Sequence, residues 1–347
     1  MTGTLALASA AFALAAAPPA MADPAPAISA AAALGHPSQV SIADTKRIDF
    51  VSSVNGRRYS IDVALPDMPP PPGGYPVIYV LDGYGYFASV VEAARGNGNS
   101  PDLVVVGIGY PHDAAWFDPI IARHQPLPPM FASAPRFSVA AAFERQRDLS
   151  LAADDTTISG MKASGVNASA SDFDGLDGFL QTIETDVKPR VAALTAINQA
   201  NQTLFGHSLG GLAVLQALFT EPTAFHNFVA ASPSIWWSNK LVLAGEARFS
   251  AAVNSGKASP RVLIEVGELE ETMPDLPPEM ASKKAEIEAG VKGARMVGNA
   301  CDLADRLKSL HGANGYTVSG CITFPGQNHG ISVWPAIGQA IAFVARH

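Results

Sequence analysis

Residues 76–81 (Pro-Val-Ile-Tyr-Val-Leu) and 103–108 (Leu-Val-Val-Val-Gly-Ile) are apolar without a break. A strand with one wet face alternates apolar and polar residues, so unbroken runs of this length need cover on both faces. Shorter strand patterns follow at 202–205, 228–231, 261–266 and 316–324. Between and after them lie helical patterns at 173–194, 209–219, 278–310 and 334–344. Strands alternating with helices predict a mostly parallel sheet with helices on both faces. Ahead of this region, residues 47–51 and 59–65 alternate as strands, and Asn55-Gly56 between them is a hairpin turn signal. Residues 69–74, four prolines and two glycines, read as an exposed loop.

The chain has 347 residues, 48% hydrophobic and 16% charged, which supports a large core and excludes a disordered chain. A net charge of −8 lacks the basic footprint of a nucleic-acid binder. Two cysteines cannot form a disulfide-rich scaffold or a four-thiolate zinc site. Residues 5–17 are small or apolar, and Ala20-Met21-Ala22 fits a signal-peptidase site. This predicts a signal peptide over 1–22, with export to the periplasm or beyond, although no Lys or Arg precedes the apolar run. The alternative is a disordered Ala/Pro tail. Residues 23–44, rich in Ala, Pro and Ser, read as a linker before one domain over 45–347. No other stretch reads as a membrane span. Residues 111–171 lose the regular pattern, with helical character only over 137–149, and read as an insertion or lid after the fourth strand. Cys301 falls in an expected helix and Cys321 in an expected strand. In an exported protein they could pair; otherwise they are two buried thiols.

Gly206-His207-Ser208-Leu209-Gly210 fits G-x-S-x-G, between a strand ending at Phe205 and an apolar helix. That is the strand–turn–helix of a nucleophile elbow, which makes Ser208 the candidate nucleophile. A serine hydroxyl needs a base. Of the eight histidines, His329 lies in Gly326-Gln327-Asn328-His329-Gly330, between the last strand and the last helix. That loop opens on the same sheet edge as the elbow. His207, next to Ser208, is expected to be turned elsewhere. An acid is expected after the strand ending at Val266, where Glu268, Glu270 and Glu271 stand; Glu270 is preferred, then Glu271, then Glu268. The oxyanion hole requires two backbone N–H groups. Leu209 supplies one, and the loop 82–87 supplies the other, with Tyr84 as the favoured donor.

These segments together resemble the α/β-hydrolase esterases of the siderophore-esterase type, which open catecholate trilactones such as enterobactin, salmochelin and bacillibactin. The resemblance runs from about Thr45 to the C-terminus. It is carried by Tyr79-Val80-Leu81-Asp82-Gly83, Gly107-Ile108-Gly109-Tyr110, Arg145-Gln146-Arg147-Asp148-Leu149, the elbow, Val266-Gly267-Glu268-Leu269-Glu270 and Asn328-His329-Gly330. It implies an α/β-hydrolase fold, favours Glu270 through its G-x-x-E spacing, and favours the amide after Gly83. It also implies that Arg145 and Arg147 lie near the substrate pocket, where they would meet an anionic ligand; read as bare residues, they are solvated helix charges. Residues 111–171, where substrate choice would reside, match no particular family pattern.

The expected reaction is carboxylic ester hydrolysis through an acyl-enzyme on Ser208, with no metal or organic cofactor. Two rival readings share the fold: an acyltransferase using the same three residues, and a binding protein without activity. The expected partner is a small ester, with neither nucleic acid nor stable membrane insertion. The oligomeric state is not readable.

Overall fold

The two unbroken apolar runs form β3 (Tyr75–Val80) and β4 (Val104–Gly109), and every residue of both is buried. They lie at the centre of an eight-stranded sheet, ordered β1-β2-β4-β3-β5-β6-β7-β8. The computed structural model describes residues 41–96, 102–128, 131–163, 166–274, 276 and 278–345. The expected signal peptide and most of the linker lie outside the described residues. β1 (Thr45–Val51) and β2 (Arg58–Ala64) form the expected antiparallel hairpin, and β2 pairs antiparallel with β4. The pairings through β5 (Ile197–His207), β6 (Asn227–Ala231), β7 (Arg261–Gly267) and β8 (Thr317–Phe324) are all parallel.

Both faces are covered, as the apolar runs require. On one face α1 (Gly83–Gly96) and α12 (Val333–Ala345) lay Phe87, Val90, Ile337 and Ile341 over Ile78, Val80, Phe205 and Val229. On the other, α7 (Leu209–Thr220), α9 (Glu246–Asn254) and α11 (Met296–Lys308) bury Leu212, Leu215, Phe249 and Leu303 against Tyr79, Leu204, Phe228 and Val262. Each such side chain contributes about 1.5–3 kcal/mol on leaving water. A short α8 (Trp237–Lys240) precedes α9.

Three segments differ from their sequence expectations. Residues 111–171 carry α2 (Ala114–Arg123), α3 (Arg136–Asp148) and α4 (Asp155–Ala163), not one helix. Asp113 starts α2 by accepting from the Trp116 N–H, a cap that offsets the poor periodicity of an Ala- and Pro-containing stretch. The expected helix over 173–194 is α5 (Leu176–Thr182), a π turn over Ile183–Val187 and α6 (Lys188–Ala192). The expected helix over 278–310 is a 3-10 turn (Pro278–Lys283), α10 (Lys284–Ala294) and α11, parted at Arg295, whose φ is 46°. Apolar periodicity does not mark these breaks, because apolar residues recur at helical spacing on either side of each. Cys301 of α11 and Cys321 of β8 form a disulfide, which resolves the question their positions raised.

One buried carboxyl stands out. Glu265 is 0% exposed, points with Leu263 toward the α1/α12 layer, and neither of its oxygens meets a hydrogen-bonding partner among the described residues. Burial pushes its carboxyl well above the usual range, so it stays protonated in the fold. In the unfolded chain it ionises above about pH 4.3, so the unfolded state binds fewer protons there and stability falls as pH rises. Glu265→Leu is expected to stabilise the protein by about 1–3 kcal/mol at pH 8, and by less at pH 4. Thermal melts of both proteins at the two pH values measure this; a gain that grows toward low pH would contradict it.

Candidate active site

The elbow is built by close backbone contact. Ser208 sits at φ 63° and ψ −118°, directly between β5 and α7. A Cβ on Gly206 would lie 2.3 Å from the Gly210 carbonyl oxygen, so only glycine fits there. The turn is pinned on both sides: the Ser208 N–H donates to the Ala231 carbonyl at 3.0 Å, and the Ser234 N–H donates to the Ser208 carbonyl at 3.1 Å. The Leu209 amide belongs to the first turn of α7, where N–H groups have no intrahelical acceptor.

His329 follows β8, and its Nε2 lies 3.0 Å from Ser208 Oγ. Its Nδ1 lies 2.7 Å from Glu270 Oε2. Glu270 sits in a 3-10 turn over Glu268–Glu271, after β7, with its side chain fully buried. The other oxygen, Oε1, accepts from the Gly267 N–H at 2.7 Å and from the Ser232 hydroxyl at 2.5 Å. Burial works to raise this carboxyl, but the His329 hydrogen bond and charge, with Ser232 and Gly267, outweigh it and hold it below the ordinary range. The structure therefore brings Ser208, His329 and Glu270 together in one line. Glu271 points elsewhere and accepts from the Gly298 N–H, while Glu268 accepts from the Gly326 N–H and holds the His329 loop.

Tyr84 is the second residue of α1, so its amide also falls in a helix first turn. A Cβ on the preceding Gly83 would lie 2.4 Å from the Gly107 backbone, so glycine lets this turn lie tight against β4. The Tyr84 ring packs edge-on to Phe137 of α3 at 5.7 Å, which brings the 111–171 segment beside this loop.

The arginine expectations need correction. Arg145 is not a solvated helix charge. Its Nε donates to Asp82 at 2.8 Å, its Nη2 donates to the His207 carbonyl at 3.2 Å, and its side chain is 13% exposed. Arg147 is buried between Glu144 and Asp148, whose carboxylates already engage it.

Sequence reasoning missed two further residues, Ser232 and Ser332, and set aside a third, His207. Ser232 holds the carboxylate of Glu270. Ser332 Oγ lies 3.0 Å from Ser232 Oγ and donates to the His329 carbonyl at 3.2 Å. His207 is fully buried with its ring 4.8 Å from that of His329, and burial, then the charges of His329 and Arg145, pushes its pKa well below the usual value. It therefore backs the His329 loop as a neutral ring. The signal available for Ser232 was its place directly after β6, at the same sheet edge. Leu269 in the acid turn, Ile331 in the histidine loop and Trp334 at the start of α12 are exposed apolar side chains.

A hydroxyl on a strained elbow, at the C-terminal edge of a doubly covered parallel sheet and within reach of an imidazole–carboxylate pair, defines an α/β-hydrolase of the serine type. Residues 146–298 match the family described as Esterase. The ferri-bacillibactin esterase BesA of Bacillus subtilis (strain 168) is 33% identical over 304 residues, covering 85% of this chain and 88% of that protein. The siderophore triacetylfusarinine C esterase of Aspergillus fumigatus is 29% identical over 292 residues, covering 80% and 85%. Among solved structures, the BES protein from Bacillus cereus superposes with a TM-score of 0.67 at 27% identity, covering 89% of this chain and 99% of that one. The siderophore hydrolase EstB from Aspergillus nidulans has the same fold, with a TM-score of 0.67 at 22% identity and coverage of 89% and 97%. The chain belongs to the family of these siderophore esterases and is a carboxylic ester hydrolase.

Proposed function

We propose that this protein hydrolyses the ester bonds of siderophores, with Ser208 as nucleophile, His329 as general base and acid, and Glu270 orienting the imidazole. The observation that carries the catalytic assignment is the unbroken chain from Glu270 through His329 to Ser208, at 2.7 and 3.0 Å. With its proton on Nδ1 facing Glu270, His329 presents a bare Nε2 to the serine hydroxyl. It takes that proton as Oγ attacks the ester carbonyl. The amides of Leu209 and Tyr84 hold the oxyanion, the alcohol leaves with the proton from His329, and water repeats the sequence to release the acid. The substrate class is supported by the relatives, whose names are those of bacillibactin and triacetylfusarinine C esterases.

The same reading has residues 111–171 forming one wall over the site, supported by the Tyr84–Phe137 contact. It has the protein exported, with residues 1–22 as signal peptide and 23–44 as linker to a domain over 45–347. The Cys301–Cys321 disulfide supports an oxidising compartment. No helix among the described residues is long and apolar enough to cross a membrane.

The test offers one preparation a catecholate trilactone, a hydroxamate ester siderophore and p-nitrophenyl butyrate, with products resolved by mass spectrometry. Linear catecholate or hydroxamate fragments and fluorophosphonate labelling at Ser208 are the expected results. Turnover confined to p-nitrophenyl butyrate would remove the siderophore assignment. Label on any residue other than Ser208 would remove the site.

A further inference from the structure

We propose that Arg145 is a positioning residue that fixes the distance between the two halves of the oxyanion hole. The inference rests on the ester-hydrolase reading above and adds a residue to it. The two donor amides come from loops far apart in the chain: Tyr84 lies after β3, and Leu209 lies after β5. Neither loop fixes the other through sequence proximity. Arg145 touches both. Its Nε donates to Oδ1 of Asp82, two residues before Tyr84, and its Nη2 donates to the carbonyl of His207, two residues before Leu209. Asp82 is well placed to transmit this. It sits at φ 56°, and its carbonyl accepts the Gly85 and Tyr86 N–H groups, so its backbone sets where α1 begins. Its other carboxylate oxygen lies over the elbow, 3.5 Å from where a Cβ on Gly210 would be.

Stability does not account for such a pair. Both side chains are largely buried, at 13% and 6% exposure. Taking two charges out of water offsets much of their attraction, and a well-packed apolar pair would often hold the fold as firmly. A guanidinium gives what an apolar pair cannot: a rigid fork whose two N–H directions reach two different acceptors at once. A lysine ammonium is a single point and cannot reproduce both. The fork is carried by α3, inside the 111–171 segment, so that segment is tied to the reaction centre through this side chain.

The experiment compares Arg145→Met and Arg145→Lys with the wild-type chain on p-nitrophenyl butyrate, with each rate divided by the serine sites titrated with a fluorophosphonate. Dividing by titrated sites removes misfolded protein from the comparison. Arg145→Met is expected to lower kcat by about 10–100-fold with KM within about 3-fold, because the oxyanion is held in the transition state and not in the ground state. Arg145→Lys should fall between the two. Affinity for a trifluoromethyl ketone, which adds to Ser208 and places an oxyanion in the hole, should fall by the same factor as kcat/KM. Asp82→Asn keeps the side-chain shape and is expected to lower kcat in the same direction by about 3–10-fold. An Arg145→Met protein with kcat per titrated site within about 2-fold of wild type would overturn the proposal. So would a raised KM with kcat intact, which would make Arg145 a substrate contact. The hydrolase reading stands or falls on wild-type turnover and Ser208 labelling, whereas this inference is read only from ratios of variant to wild type.

Discussion

Ser208→Ala is expected to lower kcat toward p-nitrophenyl butyrate by about 10⁴–10⁶-fold, while the far-ultraviolet spectrum and melting temperature stay close to wild type. In the proposed mechanism the hydroxyl attacks, and alanine leaves His329 with no proton to take. The strained backbone at φ 63° is held by the Ala231 and Ser234 contacts, neither of which involves the side chain, so the turn persists without the hydroxyl. A remnant of catalysis should survive, because the helix-start amides still polarise the carbonyl for attack by water. The effect belongs almost wholly in kcat. A variant that kept more than about one-tenth of wild-type turnover would show that another nucleophile does the work.

Glu270→Gln is expected to cost about 10³–10⁴-fold in kcat, close to isosterically. The direction follows from which oxygen is already engaged. Oε1 receives two donors, the Gly267 N–H and the Ser232 hydroxyl. A glutamine keeps its carbonyl oxygen there and so turns its NH₂ toward His329 Nδ1. Nδ1 must then accept, the ring proton moves to Nε2, and the nitrogen facing Ser208 cannot take the hydroxyl proton. Glu271→Gln is the matched control. Among the described residues its oxygen serves the Gly298 N–H and neither His329 nor Ser208, so turnover should change by less than about 3-fold. Steady-state rates of the two purified variants decide between the neighbouring acids, and equal losses would refute the assignment to Glu270.

The parts of this protein that were legible in its sequence are those whose reasons are local. β3 and β4 need cover on both faces, and that need is written into every residue of each run. Ser208, His329 and Glu270 each follow a strand that a parallel sheet brings to one edge, so placing the strands placed the side chains. Choosing among Glu268, Glu270 and Glu271 needed more than locality. What separates them is whether a Ser232 hydroxyl 38 residues away stands ready to donate. Arg145 was misread for the same reason. Its partner Asp82 is 63 residues distant, and nothing near either residue announces the other. The breaks at the π turn and at Arg295 were hidden because apolar spacing runs on through them, and the helices of 111–171 because Ala-rich sequence carries little phase. His207 was set aside for facing away from the hydroxyl, but facing away is what brings it behind the imidazole.

His329, the base of the proposed mechanism, hangs from the margin of the sheet. Among the described residues β8 has a hydrogen-bonded neighbour on one side only, and the loop carrying His329 begins where that strand ends. Outer strands are the first to fray when a sheet is warmed or loosened. Here the sulfur bridge from Cys321 to α11 staples the outermost strand to a helix behind it. Protein produced in a reducing cytosol would lack that staple, and its imidazole would be moored to an edge strand without it. The redox history of a preparation thus bears on how steadily the His329 ring is held, even though neither sulfur belongs to the site.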